Sequence, residues 1–129
     1  MNILDENFPD DQRQLLIKLR VPTRQIGREI GVAGATDENL IKLFHSLRRV
    51  AFFTQDQDFF DRKRCHRRYC LIWLDVDKDV LALRVREFLR HPQFRTWNLR
   101  GGTVVRVHAI GFDVWRVHRN IVEKLRFER

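Results

Sequence analysis

Phe52-Phe53-Thr54-Gln55-Asp56-Gln57-Asp58-Phe59-Phe60 sets two carboxylates one residue apart directly behind a run of apolar residues. Val50 to Phe53 have the partly β-branched, partly aromatic character of a buried strand. The chain therefore leaves the core near Thr54 and presents Asp56 and Asp58 at the strand's carboxyl end. In open α/β sheets, ligands collect at that end. A turn for Asp56 and a helix cap for Asp58 would be the bland explanation, and it suits one such carboxylate better than two.

Working upstream, Arg48-Arg49 close a helix whose buried face is Leu40, Ile41, Leu43, Phe44 and Leu47, with Thr36 as its cap and His45 at its surface. Asp37 and Glu38 fall in its first turn, where the helix dipole alone favours acidic residues. Gly27, Gly31 and Gly34 make the connection before it, and Thr23 to Ile26 read as a short strand. Pro22 ends a helix that starts at Pro9 and runs through Leu15, Leu16 and Leu19, with Asp10 and Asp11 in a structural role at its dipole. Asn2-Ile3-Leu4 is a short first strand, which puts Asp5 at its carboxyl end.

Downstream, Arg62, Lys63, Arg64, Arg67 and Arg68 form the densest basic run of the chain, a few residues from the two carboxylates. A solvated face is the ordinary explanation; contact with a phosphate backbone at the mouth of the site is the functional one. Cys70 to Val76 is a further apolar strand, and Asp77 to Arg90 a helix with Val80, Leu81, Leu83, Val85, Phe88 and Leu89 inward. Asp75, Asp77 and Asp79 lack the glycine and closing glutamate of a calcium loop and read as strand end and helix start. Residues 103–110 and 112–118 alternate apolar and polar around Gly111, the pattern of a hairpin or paired edge strands with His108 and His118 toward solvent. Residues 120–129 read as a short basic helix.

The 129 residues suffice for one domain with its own apolar core, read as residues 1–119 followed by a basic tail at 120–129. Lys and Arg number 25 against 17 Asp and Glu, and a net charge of +8 favours polyanionic partners. Cys65 and Cys70 have no second pair, so Cys65-His66-x3-Cys70 is no structural zinc spacing. Free thiols fit a reducing compartment. With neither a secretory pattern nor a membrane-length apolar run, the expectation is a cytoplasmic protein with no membrane partner.

The alternation of strands and helices argues for a three-layer α/β/α sandwich around a mostly parallel sheet, with a hairpin or edge strands at the carboxyl end. Right-handed crossovers bring Asp5, Asp56 and Asp58 to one edge, with Asp37 or Glu38 at the rim. Clustered carboxylates repel unless a cation neutralises them, and oxygen-only ligation favours Mg2+ or Mn2+, which could activate water for phosphodiester cleavage.

Leu4-Asp5-Glu6-Asn7-Phe8-Pro9, the glycine-rich approach to Gly34-Ala35-Thr36-Asp37-Glu38-Asn39-Leu40, and the Thr54-x-Asp56-x-Asp58-Phe59 stretch resemble, in order and spacing over about the first 76 residues, the PIN-like family of small prokaryotic proteins. The resemblance implies a PIN-type fold and a metal-dependent endoribonuclease, often the toxin of a toxin-antitoxin pair. Its acidic positions fall on Asp5, Asp37, Asp56 and Asp58, with Thr54 as an orienting hydroxyl. RNA and an antitoxin protein are the partners it implies, and a homodimer stays open. Two other classes compete with it. A noncatalytic RNA-binding or partner-binding module would keep the basic run and use the carboxylates structurally. A phosphatase of the Asp-x-Asp type would place its nucleophile near the amino terminus, followed by Thr or Val, whereas Phe59-Phe60 follow the pair here.

Overall fold

The computed structural model describes residues 1–127. Strand β1 (Asn2–Leu4) leads through Pro9 into helix α1 (Asp10–Lys18), and β2 (Arg24–Gln25) and the glycine-rich loop precede α2 (Asp37–Ser46). β3 (Val50–Thr54) is followed by two 3-10 turns, Gln57–Phe59 and Arg62–Arg64, and then by β4 (Tyr69–Leu74). Another 3-10 turn, Lys78–Val80, opens α3 (Leu81–Arg90). A short α4 (Trp97–Arg100), which the sequence pattern does not announce, precedes β5 (Thr103–Val107), β6 (Gly111–Arg116) and β7 (Glu123–Arg126).

The strands form one sheet in the order β2-β1-β3-β4-β5-β6-β7, parallel from β2 to β5 and antiparallel from β5 to β7. This is the mixed α/β, mostly parallel architecture that the apolar runs dictate. Strand side chains alternate between faces, so a strand apolar at every position must feed two cores. In β3, Val50 and Phe52 join one cluster with Ile3, Leu71 and Phe44 of α2. Ala51 and Phe53 join the other with Leu4, Ile72, Leu16 of α1 and Phe88 of α3. Tilted and edge-on ring pairs fasten the two sides: Phe44 on Phe52 at 4.8 Å and Phe88 on Phe53 at 5.8 Å. Each such pair contributes about 0.5–1.5 kcal/mol beyond the area it buries.

Four expectations need correction. Leu83 is 44% exposed, not inward, because the regular helix starts at Leu81 and its buried stripe is Leu81, Val85 and Phe88. Spaced i, i+4, i+7, that stripe leaves residue 83 on the far side. His108 is not free in solvent: its Nε2 lies 3.4 Å from the buried Asp113, since Arg106 pairs with Asp113 across the hairpin and residue 108 shares the face of residue 106. Gly111 is no mere spacer but the first residue of β6, and a Cβ there would collide with the Leu125 carbonyl of β7. The basic helix expected after residue 119 is absent within the described residues; Glu123–Arg126 is instead edge strand β7, antiparallel to β6, while residues 128 and 129 lie outside them.

Candidate metal centre at the carboxyl end of the sheet

β1 and β3 are parallel neighbours with Leu4 opposite Phe53, so both chains leave the sheet side by side. The Asp5 amide donates to the Phe53 carbonyl at 3.0 Å. Beyond that rung, Thr54, only 1% exposed, uses its hydroxyl twice: Oγ1 donates to Asp5 Oδ2 at 2.5 Å and accepts from the Asp56 amide at 3.0 Å. Asp56 Oδ1 in turn accepts the Asp58 amide at 2.9 Å, capping the turn Gln57–Phe59 and setting both carboxylates on one side.

The third carboxylate arrives from the amino terminus of α2. Thr36 caps that helix through the Asn39 amide at 3.2 Å, a bond worth about 1 kcal/mol. The loop before it is tied to the end of β1 by Glu6, whose two carboxylate oxygens accept the Gly34 amide at 2.9 and 3.0 Å. Gly34 has φ of 78°, the left-handed region that glycine enters without strain. The result is that Asp37, Asp56 and Asp58 each place a carboxylate oxygen within 4.8 Å of the others.

Three carboxylates at that separation raise the cost of ionisation. Asp37 shows it: burial first, then the charge of Asp56, push its carboxyl above the usual carboxylate range, while Arg64 pulls it back. The Arg64 guanidinium stands 3.6 Å from Asp37 and lies over the Phe59 ring at 5.2 Å. Two exposed residues and one half-buried residue thus offer an all-oxygen donor set that could hold a metal ion, a set of the kind hard cations take.

The expected acidic set is thus rearranged. Asp5 is on the same edge, but its carboxylate is engaged by Thr54 and falls outside the trio, while Asp37 joins Asp56 and Asp58 directly. Glu38 is exposed and also outside the trio. Asp75 sits just past β4 and is held by Arg106 at 2.8 Å, a structural partner. Cys70 is fully buried and its thiol is pushed up to about 12 by that burial, so it offers no thiolate.

The basic run divides between two places. Arg64 faces the carboxylates, Arg62 turns away to Asn120 Oδ1 at 3.0 Å and to the Trp115 ring, and Lys63 is exposed. Arg67 and Arg68 do not face the mouth of the site. β4 is parallel to β3, so residues 55–68 must return the chain to the other end of the sheet before β4 can start. Arg67 and Arg68 end that return, removed from the carboxylates by the five residues of β3, about 16 Å at a rise of ~3.3 Å per residue.

Two positioning residues escaped the reading of the sequence. Gln25, 3% exposed, directs its Nε2 at the carbonyls of Asp5, Glu6 and Phe8 at 3.1, 3.2 and 3.0 Å, and so shapes the loop that carries Asp5. Glu6, with its grip on Gly34, is the other. A lone Gln carries no pattern that would single it out, and Glu6, though it stands in the Leu4–Pro9 motif, gives no sign there that it would tie down Gly34. No protein-family model, curated protein or solved structure matches this chain.

Proposed function

We propose that the chain is a metal-dependent endoribonuclease with a PIN-like, three-layer α/β/α fold, hydrolysing RNA phosphodiester bonds with Mg2+ or Mn2+. The observation that carries the reading is the meeting of the Asp37, Asp56 and Asp58 carboxylates within 4.8 Å at the carboxyl end of β3, beside the Thr54–Asp5 hydrogen bond. Asp56 and Asp58 are exposed and would hold the cation together with Asp37, whose carboxyl is raised by burial and then by the charge of Asp56, so that an added positive charge would favour its ionised form. A bound divalent cation supplies charge neutralisation and Lewis acidity toward a phosphodiester. Asp5, fixed through Oδ2 by Thr54 and through Oδ1 by a long bond from the Asn7 amide, has acceptor capacity left on Oδ1 to orient a water beside the phosphodiester. Arg64 screens the incoming phosphate from the acidic cluster. The resemblance extends the proposal to a cytoplasmic toxin with an antitoxin protein as partner.

One observation favours a second reading, a noncatalytic RNA-binding module. Asp56 caps a turn and Arg64 already pairs with Asp37, so two of the three carboxylates have structural work. The two readings separate on incubation of the wild type with mixed RNA in Mg2+ or Mn2+. The nuclease yields fragments that chelator abolishes; RNA left whole under every metal selects the binding module.

A further inference from the structure

At the amino end of the parallel strands, opposite the carboxylates, lies a cleft of about 340 Å³ lined by Leu47, Arg48, Arg49, Arg67, Arg68 and Trp97. Its four arginines meet because β3 and β4 are parallel, with Val50 opposite Tyr69, and each strand is preceded by an arginine pair. All four are exposed, and none pairs with a carboxylate among the described residues, whereas Arg13, Arg64, Arg84, Arg106 and Arg116 each do. Among the described residues, no Asp or Glu lines the cleft. Arg68 has one weak bond, to the Leu47 carbonyl at 3.5 Å. Arg49 keeps its cation at φ of 54°, a left-handed conformation that glycine adopts at lower cost. The concentration of charge is felt nearby: His66 is held below the ordinary histidine range by burial, then by His45, Arg67 and Arg68. Trp97 lies with its indole against Gly101 and supplies the aromatic wall.

We propose that this cleft binds the phosphate backbone of single-stranded RNA, with Trp97 as a stacking surface for a base, as a contact site separate from the acidic edge. Unpaired guanidinium groups are matched to phosphate by their forked donors, and arginines around an aromatic face are the pattern of single-strand binding. The choice of RNA rests on the ribonuclease reading. The geometry joins the two sites, because residues 55–68 begin beside the carboxylates and end at the cleft, with exposed Lys63 between them.

The test is fluorescence anisotropy of a fluorescein-labelled, mixed-sequence single-stranded RNA in excess chelator, so that no cleavage intervenes, titrated at several KCl concentrations. Compared with the wild type are Arg48→Gln/Arg49→Gln, Arg67→Gln/Arg68→Gln, and a charge control, Arg28→Gln/Arg90→Gln, on exposed residues away from the cleft. Each cleft variant should lower affinity at least about tenfold at low salt and flatten the plot of log K against log salt by about 1.4, two contacts at ~0.7 each, while the control keeps the wild-type slope. Trp97→Leu should weaken binding without changing the slope. Unchanged thermal midpoints exclude misfolding as the cause. Equal losses in cleft and control variants, or wild-type binding by both cleft variants, would overturn the site. Metal-dependent cleavage with cleft-independent binding removes the cleft and leaves the nuclease; cleft-dependent binding without cleavage does the reverse.

Discussion

Thr54 is the residue on which the acidic edge is assembled, since one buried hydroxyl joins the ends of β1 and β3. Thr54→Val keeps the shape and removes both bonds, leaving the Asp56 amide and Asp5 Oδ2 to find other partners. The expected loss is about 1–3 kcal/mol of unfolding free energy, read from urea titrations, with a larger proportional loss of RNA cleavage than of RNA binding. Asp37 yields a prediction whose sign runs the other way. Its folded carboxyl titrates above the ordinary 3.8, so the fold prefers it protonated: that advantage is complete below 3.8 and is lost as pH rises through the raised folded value. In cation-free buffer, Asp37→Asn should therefore be more stable than the wild type at neutral pH, and the gain should disappear below 3.8. A variant less stable at neutral pH would show that the Arg64 pair outweighs the repulsion. At this scale the sequence was informative where chemistry is local. Asp56, Asp58 and Thr54 lie within five residues, and Asp37 follows its own cap. Gln25 was illegible because its three partners belong to a distant loop.

Elements follow a different logic, in which connection matters as much as composition. The parallel pairing of β3 with β4 forces the basic run to travel from the carboxyl end of the strands to their amino end, which divides cations that look like one patch in sequence. The strands that carry the site were legible because they are apolar on both faces, and no helix of their short length would be. β7 was not. Glu123-Lys124-Leu125-Arg126 shows one apolar residue among charges, the guise of an edge strand protected against further pairing, and charge density there mimics a solvated helix. What holds β7 is the absence of a side chain at Gly111, where its backbone packs. Gly111→Val should therefore detach β7 or distort β6, costing roughly 1–3 kcal/mol or more by thermal unfolding and opening residues 117–127 to limited proteolysis. A wild-type melting curve and cleavage pattern would contradict this account of the edge.

The whole molecule separates its charges. A chain of net charge +8 gathers three carboxylates at one end of its parallel strands and, at the other, four arginines that pair with no carboxylate among the described residues. Long-range attraction draws a polyanion to such a surface, and the acidic end must be neutralised before the polyanion can approach it. None of the helices among the described residues is long and apolar enough to cross a membrane. Sequence periodicity was enough for the mixed α/β class and the mostly parallel sheet, because burial on two faces writes itself into composition, but not for α4 or the edge strand β7. Which carboxylates meet depended on loop geometry that periodicity does not carry, and so Asp5 and Asp37 exchanged places. The measurement that bears most directly on the central claim is cleavage of mixed RNA in Mg2+ or Mn2+ by the wild type, Asp56→Asn, Asp58→Asn and Asp77→Asn at one salt concentration, with and without chelator. The account predicts fragments from the wild type and from Asp77→Asn, whose carboxylate is exposed and caps nothing, their loss in chelator, and at least about a hundredfold slower cleavage by the first two variants, as expected when a metal-holding carboxylate is neutralised. Cleavage that survives both chelation and Asp56→Asn would contradict it.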